Sequence, residues 1–342
     1  MKILYIEPFY SGSHKKWIDS YKLHSNHTID ILSLPGRYWK WRMHGGSVTL
    51  AEKFIQNDKK YNLLIVSDML NLPVFIALCK EKLNDVKIVT YFHENQISYP
   101  KSSNDKDGIL NRDLHYTFIN YSTALTSDFN LFNSQYHQNI FLDGLEEYLN
   151  KMPENKNKNT LKMIKDKSSV LYIGCDLEKF NQEDNIQNKT PIILWNHRWE
   201  HDKNPELFFN TLLEIKKNNL KFSLIILGEQ FKKNPKIFEE AKNKLKKEII
   251  HMGYCESFEE YKNWLNKSDI LPVTSNQDFF GISIVEAVYC NVMPLLPNRL
   301  SYPEILCKKD NPELFYNNNN ELHTKLAELI KNYKNLRNYS SK

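Results

Sequence analysis

Several things this chain lacks narrow what it can be. No apolar run reaches the roughly eighteen residues that a membrane-spanning helix needs. The opening stretch Met1-Lys2-Ile3-Leu4-Tyr5-Ile6 is too short and too soon polar for a signal peptide, and reads instead as a first buried strand. The five cysteines, Cys79, Cys175, Cys255, Cys290 and Cys307, include no C-x-x-C pair, so a structural zinc site is not expected and a reduced, cytoplasmic setting is. There is no G-x-G-x-x-G fingerprint, which leaves a Rossmann dinucleotide site weakly supported. No internal repeat is visible.

What is present is a soluble composition, 41% apolar and 25% charged, over 342 residues, enough for two domains. The net charge of +5 is compatible with a polyanionic partner, but Lys and Asn run through the whole chain and a general compositional habit accounts for it equally well. Short apolar runs alternate with helical patterns. Ile3–Ile6, Ile29–Leu32, Leu63–Val66, Ile88–Tyr91 and Ala124–Phe129 are predicted strands of the first half. Ile192–Trp195, Ser223–Leu227, Ile249–Met252 and Ile270–Val273 are those of the second. Helices are predicted over Leu72–Leu83, Pro205–Lys217, Lys236–Lys247, Phe258–Asn266 and Ser283–Tyr289. The alternation implies an α/β protein with two doubly wound parallel sheets, in which ligands sit beyond the carboxyl ends of the strands. The polar stretch 151–168 reads as a mobile surface segment. The expected domains are 1–178 and 179–325, followed by a helical tail over 326–342.

The motifs fall at strand ends. Asp278 and Glu286 bracket a Phe-Gly step, Phe279-Phe280-Gly281, with loop before and helix after. A helix N-terminus there offers N–H groups to a phosphate, and the two carboxylates can grip hydroxyls on either side of it. Trp195-Asn196-His197-Arg198-Trp199-Glu200-His201-Asp202-Lys203-Asn204-Pro205 joins a strand to a helix. Arg198 and Lys203 suit the charge that develops on a leaving diphosphate, with no metal required; a surface ion-pair cluster with Glu200 and Asp202 is the simpler alternative. Ser11-Gly12-Ser13-His14 follows the first strand, and Gly12 either admits a ligand close to the backbone or merely makes a tight turn. Tyr91-Phe92-His93-Glu94-Asn95-Gln96 ends another strand, and His93 can meet a sugar or developing charge, although a lone histidine is usually structural. Arg37-Tyr38-Trp39-Lys40-Trp41-Arg42-Met43-His44 interleaves aromatics and cations, which suits an unstacked nucleobase, or else packs as an amphipathic segment. Gly228-Glu229 and His251-Met252-Gly253-Tyr254 read as turns lining a nucleotide site.

Taken in order, Gly12, His93, Arg198…Lys203, Gly228, Gly253 and Asp278…Glu286 resemble a retaining glycosyltransferase of family 4 with the GT-B fold, two Rossmann-like domains facing a central cleft. More specific strings are similar to the tRNA-queuosine α-mannosyltransferase family: Ile6-Glu7-Pro8-Phe9-Tyr10-Ser11-Gly12-Ser13-His14, Tyr91–Pro100, His197–Lys203, Phe279–Cys290 and Tyr302-Pro303-Glu304-Ile305. That resemblance implies transfer of mannose from GDP-mannose to the cyclopentenediol of queuosine in a tRNA anticodon loop, with retention and without a metal or other cofactor. It implies Arg198 and Lys203 on the diphosphate, Glu286 on the ribose, and Asp278 on the donor sugar. Gly12 and His93 would then face the reaction centre, with Gly228, Glu229, Phe280 and Gly281 completing the donor site. His14, Trp39, Trp41, Arg42, Asn95 and Gln96 are its candidate acceptor residues. The chain departs from the family at Asp278, where Glu is usual. Two other readings remain open: a family 4 enzyme acting on a lipid or polysaccharide, for which only the basic Lys236–Lys247 speaks, and a non-catalytic nucleotide-sugar or RNA binder.

Overall fold

The computed structural model describes residues 1–99, 114–181, 188–230 and 234–334. Pro100, residues 182–187 of the second polar stretch and residues 335–342 of the expected tail lie outside the described residues. The chain divides into two compact units, Met1–Gly174 and Cys175–Lys342. Each holds one parallel sheet of six strands.

In the first unit the strands are β1 (Lys2–Tyr10), β2 (Thr28–Pro35), β3 (Leu63–Ser67), β4 (Lys87–Phe92), β5 (Phe129–Phe132) and β6 (Ser168–Val170), in the order β2-β1-β3-β4-β5-β6. Helices α1 (Gly12–His24), α2 (Trp39–Ile55), α3 (Leu72–Cys79), α4 (Leu114–Thr126), α5 (Gln135–Asn150) and α6 (Lys158–Asp166) connect them. Continuous apolar runs such as Ile3–Ile6 form strands here because helices cover both faces of a parallel sheet, so both side-chain directions must be apolar.

The second unit orders its strands β12-β11-β10-β7-β8-β9. They are β7 (Ile192–Asn196), β8 (Ser223–Leu227), β9 (Ile249–Gly253), β10 (Ile270–Pro272), β11 (Met293–Pro297) and β12 (Phe315–Tyr316). Its helices are α7 (Pro205–Lys217), α8 (Ile237–Lys244), α9 (Phe258–Lys267), α10 (Ile282–Tyr289), α11 (Tyr302–Ile305) and α12 (Asn319–Asn332). Helix α12 runs unbroken through position 326 and buries Leu322, Leu326 and Ile330 in the same core as Ile193 and Trp195.

Each sheet therefore changes winding direction once. The first unit does so between β1 and β3, and the second between β7 and β10. At such a switch point the flanking connections leave on opposite faces and a crevice opens beyond the carboxyl ends.

Two expectations need correction. Ala124–Phe129 is not a strand: α4 continues to Thr126 and β5 begins at Phe129. Tyr116, Ile119, Asn120, Thr123 and Ala124 repeat at helical spacing, and that periodicity outweighs the short apolar run at its end. The stretch 151–168 is also not simply a mobile surface segment. It contains α6, whose Ile164 is fully buried against a cluster that includes Phe132, Phe141 and Leu145, and it ends at β6, which pairs with Asn130–Phe132. Its Lys/Asn-rich remainder hides one amphipathic turn pattern. Among the described residues no helix is long and apolar enough to cross a membrane.

Ile164→Ala is expected to cost about 2–5 kcal/mol, the usual range for emptying a core position. Urea denaturation measures this. A loss within about 0.5 kcal/mol, as at ordinary surface sites, would show that α6 contributes little to the core.

Candidate active site

In the second unit the segments that follow β7 and β10 are tied together by one cation. Lys203 is 8% exposed. Its Nζ donates to the Gln277 carbonyl at 2.7 Å and pairs with Asp202 at 3.3 Å and Asp278 at 3.6 Å. The loop around it is equally anchored: Thr274 Oγ1 donates to the Lys203 carbonyl at 2.9 Å, and Asn276 N–H to that of Asp202 at 2.7 Å. Asn204, at a left-handed φ of 51°, caps α7 by accepting from Leu207 N–H, and Pro205 takes the first helical position. Arg198 is far more exposed and pairs with Glu200 at 3.0 Å. The expected cation pair thus consists of one buried, immobilised ammonium and one surface guanidinium.

Both expected carboxylates have a phenol partner. Tyr302 OH donates to Asp278 Oδ2 at 3.3 Å, and Tyr261 OH donates to Glu286 Oε2 at 2.7 Å. Burial, then the neighbouring carboxylate, raises each phenol well above its ordinary value, so both remain protonated donors. His197 is near Lys203 and Asp278, with Nδ1 3.4 Å from Ser283 Oγ and Nε2 buried without a hydrogen-bond partner. Burial, with the Lys203 cation beside it, pushes its imidazole down to about 3, so it is neutral at ordinary pH.

Two glycines are fixed by geometry. At Gly228 (φ 124°) an added Cβ would fall 2.0 Å from the His197 carbonyl oxygen, so the turn after β8 closes directly on the turn after β7. Gly281 (φ 96°) caps α10 and would bring a Cβ within 3.2 Å of Tyr302 and Ile284. Phe280 is buried with its carbonyl held by Ser301, while Glu229 is exposed and accepts from Trp199 N–H through its backbone.

In the first unit the carboxyl ends of β1, β3 and β4 bring together a buried polar cluster. Glu7 is fully buried and accepts from Phe9 N–H at 2.8 Å and Ser67 Oγ at 3.1 Å through Oε1, while Oε2 lies 3.0 Å from His14 Nδ1. His14 stacks on His93 with ring centroids 4.2 Å apart, and His93 Nε2 hydrogen-bonds Tyr5 OH at 3.1 Å. Asp68 Oδ1 accepts the His93 backbone N–H at 2.8 Å, and its Oδ2 is buried without a partner. Burial disfavours a charged His14, but the Glu7 carboxylate outweighs it and holds His14 up at about 9. Burial and the cationic His14 push His93 well below its ordinary value, and burial raises Asp68. One imidazolium and one neutral imidazole are thereby stacked at the strand ends. Glu7, His14 and His93 also bring ligand-type atoms within 4.8 Å of one another, as do His251, Cys255 and Glu260. In the first group, His14 Nδ1 is already taken by Glu7 and His93 Nε2 by Tyr5.

Gly12 opens α1 at φ 53°, where an added Cβ would meet nothing, so it is the left-handed backbone that requires glycine there. Asn95 is buried, and its carbonyl oxygen organises the loop by accepting from Ile97 N–H, Ser98 N–H and Ser98 Oγ. Gln96 donates its backbone N–H to Asn120 and its side chain to Glu94. Trp39 packs half-buried on Tyr116, Arg42 donates to the Pro35 carbonyl, and Trp41 is exposed. Sequence reasoning assigned no role to Glu7, Asp68, His197, Tyr261 or Tyr302. The one local signal was a carboxylate, Glu7, directly after the apolar run Ile3–Ile6.

Two doubly wound units with polar constellations at their switch points make up a GT-B fold, and solved structures agree. Sucrose-phosphate synthase from Thermosynechococcus elongatus superposes with a TM-score of 0.71 at 11% identity, covering 100% of this chain and 94% of that one. A glycosyltransferase from Rickettsia africae gives 0.65 at 16%, covering 99% and 92%. At such identities the likeness is one of fold. The family model described as tRNA-queuosine alpha-mannosyltransferase N-terminal matches residues 2–175, and that described as glycosyl transferases group 1 matches residues 176–342. A tRNA-queuosine alpha-mannosyltransferase of Drosophila melanogaster is 36% identical over 334 residues, 95% of this chain and 85% of that protein. The chain belongs to the tRNA-queuosine alpha-mannosyltransferase family.

His14 is held up at about 9 in the folded chain against about 6.5 unfolded. Its pairing with Glu7 therefore stabilises fully below about pH 6.5 and is lost as pH rises through about 9. Thermal melts of wild type and Glu7→Gln across that range should show a gap that closes as pH rises, because Gln retains the Oε1 acceptor for Phe9 and Ser67. A gap independent of pH would dissociate Glu7 from His14.

Proposed function

We propose that this chain transfers mannose from GDP-mannose to the cyclopentenediol of queuosine in a tRNA anticodon loop, with retention of configuration and without a metal. The observation that supports this reading is the likeness, over 95% of the chain, to a protein named tRNA-queuosine alpha-mannosyltransferase. Lys203 and Arg198 supply the cationic charge that a departing diphosphate needs. Asp278 takes hydroxyls of the sugar and Glu286 those of the ribose, each carboxylate oriented by its phenol. Donors aligned before the reaction lower the barrier without further reorganisation.

Retention follows from same-face attack. The queuosine hydroxyl approaches on the side from which the diphosphate leaves, and a phosphate oxygen takes its proton. The chain then contributes positioning and charge stabilisation, not a nucleophile. Neutral His93 serves as a hydrogen-bonding partner for the sugar, and cationic His14 stacked on it adds positive potential. All five cysteines are free thiols, which suits the reduced cytoplasmic setting of a tRNA-modifying enzyme.

Incubation with GDP-mannose and queuosine-containing tRNA, digestion to nucleosides and mass spectrometry should reveal one added hexose on queuosine. Equal transfer to tRNA lacking queuosine, or no transfer, would overturn the reading. Lys203→Ala should cut turnover by roughly two to three decades, the loss typical of one charge-stabilising group. Near-normal turnover would remove Lys203 from that role.

A further inference from the structure

The first turns of α2 carry aromatic surface that the fold of its own unit leaves uncovered. Tyr38 is 75% exposed and Trp41 64% exposed. The helix buries Met43, Gly46, Ser47, Leu50, Ala51 and Phe54, so Trp41 lies off its packed face. Tyr38 holds a left-handed backbone, φ 55° and ψ 53°, at the N-cap, a conformation strained for a bulky residue and found mainly where surrounding structure or function demands it.

Gly45 gives this surface its meaning. Two adjacent glycines inside a helix weaken it, because glycine is a poor helix former. Gly46 has a packing reason: an added Cβ would lie 3.2 Å from Pro8. At Gly45 the obstruction is Trp41 itself, with Cζ2 and Cε2 at 2.6 and 2.7 Å from the added Cβ. One turn after Trp41, glycine thus lays the exposed indole against bare helix backbone. The benzo edge of the indole lies close to the helix backbone while most of the side chain stays exposed.

The charge around it selects the partner. From Ile31 to Ala51 there is no Asp or Glu, whereas Arg37, Lys40 and Arg42 all lie within that stretch. The Arg37 guanidinium sits 6.0 Å from the Tyr38 ring centre, and the Lys40 ammonium 5.7 Å from that of Trp39. The patch also abuts the strand-end cluster, since a Cβ at Gly36 would fall 2.0 Å from Ser11 Oγ, next to Gly12. Exposed aromatic rings among cations, on a segment that carries no acid, fit unpaired bases and the phosphates between them. A lipid surface fits less well, because an indole drawn back against its own helix inserts little apolar depth.

We propose that Tyr38 and Trp41, with Gly45 as the bed of the indole, form a stacking platform for unpaired bases of the RNA loop, and that Arg37, Lys40 and Arg42 hold its phosphates. This rests on the tRNA acceptor proposed above.

Binding of queuosine-containing tRNA to the full chain tests it by filter retention at fixed salt. Trp41→Ala should raise Kd by roughly 5- to 150-fold, the range for one lost base stack, while Trp41→Phe retains most of the affinity. Gly45→Ala should weaken binding in the same direction even though alanine is the better helix former, which no loss of folding would explain. Arg37→Ala should flatten the salt dependence. Unchanged affinity in both Trp41→Ala and Gly45→Ala would overturn the platform while leaving the tRNA acceptor intact. A wild-type chain that binds no tRNA would overturn both. Flotation with anionic phosphatidylserine vesicles that disappears in Trp41→Ala would assign the patch to membrane instead.

Discussion

The second unit depends on where one ammonium is buried. Taking a lysine out of water costs several kcal/mol unless partners replace its hydration. Lys203 finds them in a backbone carbonyl and two carboxylates, and those belong to the connections after both β7 and β10. The two strands are neighbours in the sheet, but their connections leave in opposite directions, so nothing in the sheet itself holds the loops together. The Lys203 ammonium does, with the Thr274 and Asn276 hydrogen bonds beside it. The same residue that proposes itself for diphosphate charge is thus the clamp that shapes the crevice. A donor entering there would compete with Asp202 and Asp278 for a cation already in place, an exchange of partners rather than a first desolvation.

The first unit solves an analogous problem with a different chemistry. At its switch point the buried groups are carboxylates and imidazoles, and Glu7 takes the role of anchor. It receives donors from its own strand, from β3 and from α1. Glu7 holds the charge on His14, while burial and then the cationic His14 suppress charge on the stacked His93, so the two adjacent rings divide into one cation and one neutral imidazole. That division of labour would be lost if either ring moved, which accounts for the rings being packed among Tyr5, Trp17 and Tyr91.

Much of this was legible in the chain because it is encoded locally. Buried parallel strands read as apolar runs, and Pro205 after Asn204 marks a helix start. Arg198 and Lys203, and Asp278 and Glu286, stand at spacings that a single loop-to-helix transition fixes. What escaped depends on contacts between distant segments. Tyr261 and Tyr302 look like ordinary core phenols until the fold brings them to Glu286 and Asp278. Asp68 has meaning only beside β4. Strand β12 is very short, and β11, Met293-Pro294-Leu295-Leu296-Pro297, carries prolines at positions that discourage a strand assignment, yet the sheet accepts it near its edge. The stretch 151–168 misled because its polar composition masks the few apolar positions of α6 that matter.

The substitution at Asp278 takes on a different aspect in this setting. Aspartate reaches one methylene less far than the glutamate usual in the family, so on its own it would sit further from a donor sugar. In this chain its Oδ2 already lies at the outer limit of contact with both partners, 3.6 Å from Lys203 and 3.3 Å from Tyr302. The shorter side chain is therefore loosely held between a cation and a phenol rather than locked to either. A tightly bonded carboxylate would have to break strong contacts to take up a sugar hydroxyl. Under the donor roles proposed above, one held at these distances accepts a sugar hydroxyl without first breaking a short bond. Reach lost by the side chain is in this way offset by freedom to change partners, and the phenol of Tyr302 keeps the carboxylate aimed while it does so.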